Sequence, residues 1–212
     1  MLATVTSDGL RILTVGDRYR ADAATDVGAR LWPALVAALR GRGDTVSILT
    51  TDDSGPELDG VDRSLHWFRA ADGSWRRPAR LEASRISRRA LLRLGEIEQS
   101  FRPQAVVWVA LGGLPLTLAG ATGLPELACV LDDWPVYGPQ VDLRARQEGW
   151  DPAAVTAWTC GDVTLRDAAL TALGDRVDPA AVHVDPPGDA AGWAAAVTAR
   201  LDLAVAARPA PG

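Results

Sequence analysis

The stretch AVVWVALGGLPLTLAGATGLPELACVLDDWPVYGPQVD, residues 105–142, decides the fold. Each half of it opens on an almost wholly apolar run, first Ala105 to Ala110 and then Glu126 to Leu131. Short runs of that kind have the character of strands buried on both faces, as in the centre of a parallel sheet. Each run ends in a turn, Gly112-Gly113 after the first and Asp132-Asp133 after the second. In open α/β sheets, ligands bind just beyond the carboxyl ends of the strands. The carboxylates of Asp132, Asp133 and Asp142, with Trp134 and Tyr137 among them, are therefore predicted at a ligand-binding edge.

Outward from this stretch, strand-like and helix-like segments alternate. Arg11 to Gly16 and Thr45 to Thr50 read as strands, the second rich in β-branched residues. Between them, from Asp26, Val27, Leu31, Leu35, Ala38 and Leu39 recur at helical spacing up to Gly41-Arg42-Gly43, where glycine ends the helix. Residues 1–10 read as a lead-in, 17–25 as a turn and 51–63 as a loop. Ser64 to Phe68 reads as a short strand and Asp72-Gly73-Ser74 as a turn. A long helix then opens at Pro78, with Leu81, Ile86, Ala90, Leu91, Leu94 and Ile97 as its apolar stripe. A short helix follows Gly113, and Asp132 to Gly149 reads as a long loop, a kind of segment that commonly carries function. Ala157 to Cys160 and Ala181 to Val184 read as strands around a helix over Val163 to Leu173. Trp193 to Val205 reads as a terminal helix, followed by a Pro-rich tail. This alternation predicts one Rossmann-like α/β domain, with a mostly parallel sheet and helices on both faces. The boundaries expected are 1–189 for that domain and 190–212 for the helix and tail.

Composition narrows the chemistry. Hydrophobic residues make up 48% and charged residues 23% of 212, which suits a globular chain. No apolar stretch is long enough to span a membrane, and the first residues lack the basic start and apolar core of a signal peptide, so a cytoplasmic location is expected. All 22 basic residues are Arg, with neither Lys nor Asn in the chain. That pattern suits a GC-rich bacterial genome. It excludes a phosphate-loop or Schiff-base lysine and N-glycosylation. A net charge of −5 argues against nucleic acid as a partner. Seven Arg between Arg76 and Arg93 form either a solvated helix face or a patch for an anionic substrate or membrane surface. Cys129 and Cys160 lie in apolar segments and read as buried, reduced thiols. His66 and His183 stand apart, without metal-ligand spacing, so neither a metal nor another cofactor is expected.

The run Leu131-Asp-Asp-Trp-Pro-Val-Tyr-Gly-Pro-Gln-Val-Asp142 resembles a His-Asp-Asp-Trp…Tyr-Gly-Pro…Asp stretch in the N-terminal, acceptor domain of family 4-like glycosyltransferases of the GT-B fold. Phe101 to Leu114 looks like that family's strand entering a Gly-Gly turn. Leu39 to Thr50 looks like its first helix-to-strand passage, and Val182 to Asp189 like its inter-lobe junction. The likeness runs from Arg11 to Asp189. Three positions depart from it: Leu131 and Asp44 stand where the family has His, and Gly28 is the only glycine near the start of the first helix, where the family has a pair.

The resemblance implies a lobe that receives a sugar or lipid-linked acceptor and takes part in sugar transfer from a nucleotide sugar. The donor would sit on a second lobe, expected on another chain or missing from this one, and a donor-lobe protein or a homodimer is the expected partner. Peripheral membrane contact is a further expectation. Asp132 and Asp133 are the catalytic candidates, able to orient or deprotonate an acceptor hydroxyl. A turn and helix cap would equally account for them. Trp134 and Tyr137 either stack on the acceptor or pack the loop. Gly112-Gly113 and Gly28 either bring backbone amides to an anion or simply turn the chain. Asp142 completes the candidate binding set. A non-catalytic binding or scaffold protein derived from such a lobe is the alternative, favoured by Leu131. The chain by itself is expected to transfer no sugar.

Overall fold

The computed structural model describes residues 9–19, 27–51, 57–68, 76–142, 144–145, 149–186 and 188–207. The lead-in over residues 1–8, Asp26 with the turn segment before it from residue 20, the Asp72–Ser74 turn, Pro187 and the last five residues lie outside them.

Seven strands form one sheet: β1 (Arg11–Gly16), β2 (Thr45–Thr51), β3 (Val61–Leu65), β4 (Ala105–Val109), β5 (Glu126–Val130), β6 (Ala157–Cys160) and β7 (Val182–Val184). Their order is β3-β2-β1-β4-β5-β6-β7, and every neighbouring pair is parallel. Among the described residues, the helices around it are α1 (Val27–Gly41), α2 (Arg80–Phe101), α3 (Trp134–Val141), α4 (Val163–Leu173) and α5 (Ala190–Ala206). This is a Rossmann-like arrangement, and β4 and β5 are buried along their whole length, as their composition predicts.

Successive side chains of a strand point to opposite faces, so the central strands feed two cores. Val106 and Trp108 join Leu13, Val15, Ala128 and Trp158 on one face, covered by Ile86, Ala90, Leu94 and Ile97 of α2 and by Ala169 and Leu173 of α4. Ala105, Val107 and Val109 join Ile12, Ile48 and Leu127 on the other, covered by Leu31, Trp32, Leu35 and Leu39 of α1 and by Trp193, Val197 and Leu201 of α5. The terminal helix thus belongs to the same core as α1. Arg42, just past α1, ties it there through Asp202 at 2.6 Å while also pairing with buried Asp44. Asp44 in turn accepts the Leu10 amide at 2.9 Å, so it closes the α1–β2 turn against the start of β1.

Three expectations need correcting. The third strand is Val61–Leu65, not Ser64–Phe68: it is an edge strand with half-exposed residues and needs no apolar run. Leu81 is 75% exposed, and the buried stripe of α2 runs instead through Ala83, Ile86, Ala90, Leu94 and Ile97. The segment after Asp133 is not a loop but the helix α3. Pro135 falls in its first turn, where the missing N–H leaves no bond unmade.

Cys129 and Cys160 are free and buried, on adjacent strands. Burial pushes both thiols up, Cys160 to about 12. Neither should therefore form thiolate in the accessible pH range. Alkylation of the native chain is expected to be slow and to gain little between pH 7 and 9, whereas denaturant should expose two equivalents at once. Rapid labelling of both in the native state would contradict this placement.

Candidate functional site

The strand order reverses between β1 and β4, and the crevice beyond their carboxyl ends is the switch point at which open α/β sheets bind ligands. β1 reaches it through Gly16. A side chain there would strike the Val109 carbonyl and come within 2.7 Å of the Trp32 ring, so glycine lets β1 and β4 run close together. Asp17 follows and is only 6% exposed. Its carboxylate accepts the Arg18 amide at 2.8 Å, and its backbone carbonyl takes the hydroxyls of Thr50 (3.3 Å) and Thr51 at the end of β2.

Across the crevice β4 ends in a strained turn. Ala110 has φ +48°, an uncommon left-handed setting for a residue with a Cβ, and Gly112 (φ +35°) and Gly113 (φ +90°) follow. Gly112 lies against the Asp17 side chain, with no room for a Cβ. Its amide donates to Asp132 Oδ2 at 3.0 Å, and Asp132 Oδ1 accepts the Trp134 amide, also at 3.0 Å. Asp132 therefore bridges the β4 turn to the first turn of α3. Asp133 occupies the N-cap position of α3, yet its side chain makes no capping bond and is exposed.

The remaining predicted residues separate. Tyr137 is 46% exposed on α3. Trp134 is fully buried. Its indole N–H donates to the Leu114 carbonyl at 2.8 Å and its ring lies 6.1 Å from Phe68, so it presents no face to a ligand. Asp142 is also fully buried and accepts the amides of Leu116 (3.0 Å), Arg144 (3.0 Å) and Ala145 (3.2 Å). Burial raises its pKa, and these donors draw it back. Its carboxylate holds the end of α3 to the turn after Gly113. Gly28 is buried in the first turn of α1. Gly112-Gly113 does not open a helix: the next helical turn is the short 3₁₀ segment Leu116–Leu118. The crevice thus gathers Gly112, Gly113, Asp132 and Asp133, while Trp134 and Asp142 brace it from within.

No protein-family model and no curated relative matches the sequence. Among solved structures, the chain is similar to UDP-GlcNAc 2-epimerase from Neisseria meningitidis bound to UDP-GlcNAc, with 12% identity, a TM-score of 0.49, and 82% of this chain and 45% of that one covered. It is also similar to UGT2 of Phytolacca americana complexed with UDP-2-fluoro-glucose and pterostilbene, with 14% identity, a TM-score of 0.41, and 85% and 54% covered. The chain spans about half the length of these structures.

Several residues at the crevice escape a sequence reading. Asp17 could have been found, because a carboxylate directly after the Gly that ends a first strand falls at the switch point. The segment after β3 could not. Phe68 donates its amide to the Gly113 carbonyl at 2.7 Å, and the Arg18 guanidinium lies over the Trp67 ring at 4.7 Å. Both contacts join residues far apart in sequence. Beside α3, an apolar groove of about 560 Å³ runs past Val136 to Val163, Ala168 and Thr171 of α4. Among the described residues, no group of three or more His, Cys, Asp or Glu could hold a metal, and no helix is long and apolar enough to cross a membrane.

Proposed function

We propose that this chain is a glycosyltransferase-like acceptor lobe of the GT-B type, which presents a hydroxyl of its acceptor to a nucleotide sugar held by a donor-binding lobe. The observation that carries the reading is the position of the Asp132–Asp142 run. The most specific stretch of the resemblance to the family 4-like acceptor domain begins directly beyond β5, beside the β1/β4 switch point. In the reaction the bond from the sugar's anomeric carbon to the departing phosphate oxygen breaks and the nucleoside diphosphate leaves. The acceptor oxygen bonds to that carbon and gives up its proton to the Asp133 carboxylate. Asp133 is the group suited to accept the hydroxyl's hydrogen bond, because its carboxylate is exposed and makes no hydrogen bond or ion pair with another described residue. Asp132, engaged by the amides of Gly112 and Trp134, positions the edge.

A second reading, a binding protein without catalysis, has its own support. Leu131 carries no proton acceptor where the resembling family has His, and loss of a general base typically costs ~10²–10⁴-fold in rate. The two readings share one expectation. Purified chain, offered nucleotide sugars and hydroxyl acceptors, releases no nucleotide above background, and Asp133→Ala weakens acceptor binding about tenfold or more. Sustained turnover by the chain alone, abolished by Asp132→Ala with Asp133→Ala, would overturn the reading that a donor-binding lobe must complete the site.

A further inference from the structure

A cleft of about 420 Å³ opens between the segment after β3 and the first half of α2. His66 and Trp67 form one wall, and Arg76, Glu82, Arg85 and Arg89 the other. Glu82, Arg85 and Arg89 recur at intervals of three and four, so they share one face of α2. Glu82 pairs with Arg76 at 2.7 Å. Arg85 and Arg89, both exposed, make no hydrogen bond or ion pair with another described residue. Two guanidiniums one turn apart thus face a concavity whose one carboxylate among the described lining residues, Glu82, is paired with Arg76, in a chain whose net charge is −5. The other arginines of the run behave differently. Arg93 pairs with Asp62 and Glu96, and Arg77 and Arg88 are exposed and line no part of the cleft.

We infer that this cleft binds a phosphate or diphosphate group. Arginine matches phosphate oxygens with paired, charge-assisted N–H donors, and the volume lies in the range of small-molecule sites. The cleft adjoins the switch point. Phe68, next to Trp67, donates to the Gly113 carbonyl, and the Arg76 amide donates back to the Phe68 carbonyl at 2.8 Å. A ligand anchored on Arg85 and Arg89 would extend along this wall toward Gly113 and Asp133. The assignment of a phosphorylated acceptor rests on the acceptor-lobe reading; the anion site itself does not.

The test is calorimetric titration of the 212-residue chain with inorganic pyrophosphate at low ionic strength. Saturable 1:1 binding that weakens with added salt is expected. Arg85→Ala with Arg89→Ala should weaken it about 100-fold, roughly tenfold for each guanidinium. Arg77→Ala with Arg88→Ala removes the same charge from the same arginine run, one residue just before α2 and one within it, and should change it less than about threefold. Thermal melts of both double variants should match the parent, because all four side chains are exposed. Sedimentation with phosphatidylcholine vesicles containing phosphatidylglycerol separates the sources: pelleting that pyrophosphate competes away assigns the phosphate to a lipid headgroup, and no pelleting assigns it to a soluble ester. Failure of pyrophosphate to bind, or equal losses in the two double variants, overturns the site. Pyrophosphate binding that needs Arg85 and Arg89, with acceptor binding indifferent to Asp133→Ala, would keep the cleft and retire the acceptor-lobe reading.

Discussion

Gly112→Ala should destabilise the chain by about 2–5 kcal/mol and disable the switch-point crevice in the same stroke. Two costs add. The first is conformational: φ at this position is +35°, and the left-handed setting costs a residue with a Cβ about 1–2 kcal/mol. The second is steric. The new methyl would fall within the Asp17 side chain, and overpacking of this kind costs about 1–3 kcal/mol. Asp17 has little freedom to yield, because its side chain is short and its backbone carbonyl is held by Thr50 and Thr51. Any relief must come from the Gly112 backbone, which carries the amide bonded to Asp132. Urea denaturation is expected to show the loss, and acceptor binding should fall with it even in protein folded at low temperature. A variant as stable as the parent would mean that Gly112 and Asp17 do not meet as described.

Glu126→Gln is expected to cost about 2–6 kcal/mol without touching ligand binding. Glu126 opens β5 at the amino edge of the sheet, opposite the crevice, and is fully buried. Its carboxylate accepts the Trp108 indole N–H (2.7 Å), the Gly120 amide (2.6 Å), and the Thr122 amide (3.3 Å) and hydroxyl (2.5 Å). Burial raises its pKa, and these donors pull it back toward the ionised form. Glutamine keeps the shape but replaces one acceptor oxygen with an NH₂ donor, which then faces donors. A buried donor left without an acceptor costs about 1–3 kcal/mol, and two such contacts are spoiled at once. The readout is a lower urea midpoint with an unchanged slope. The contrast with Gly112→Ala is informative. If the amino edge serves stability and the carboxyl edge serves binding, only the latter variant loses ligand affinity in protein that is still folded.

The parts of this molecule legible in its sequence are those fixed by local pattern. Ala105–Val109 and Glu126–Val130 declare themselves because strands buried on both faces must be apolar throughout. α1 is legible because Leu31, Leu35 and Leu39 repeat at helical spacing and Gly41 and Gly43 end the run. α3 hid behind Pro135, Gly138 and Pro139, three residues that ordinarily argue against a helix. Packing of Trp134 into the core and the grip of Asp142 on three amides outweigh that preference. β3 lies earlier than its apolar pattern suggests, because the apolar residues Trp67 and Phe68 do not build the strand. They serve the cleft wall and the core beyond it. Within the site, the sequence places Asp132 and Asp133 at the correct edge but cannot divide their roles. That division depends on Gly112, twenty residues earlier, reaching Asp132 and leaving Asp133 unengaged.

The central claim is that the carboxyl edge of this sheet receives an acceptor rather than a nucleotide sugar. Amide chemical-shift mapping of the labelled chain, titrated in parallel with hydroxyl-bearing carbohydrate acceptors, their phosphorylated forms and nucleotide sugars, tests it most directly. The account expects acceptors to move the amides of Asp17, Arg18, Gly112, Gly113, Asp132 and Asp133, phosphorylated ones to bind more tightly, and nucleotide sugars to bind weakly or not at all. Tight binding of a nucleotide sugar at this edge, or acceptor shifts confined to the amino edge around Gly120 and Glu126, would contradict it.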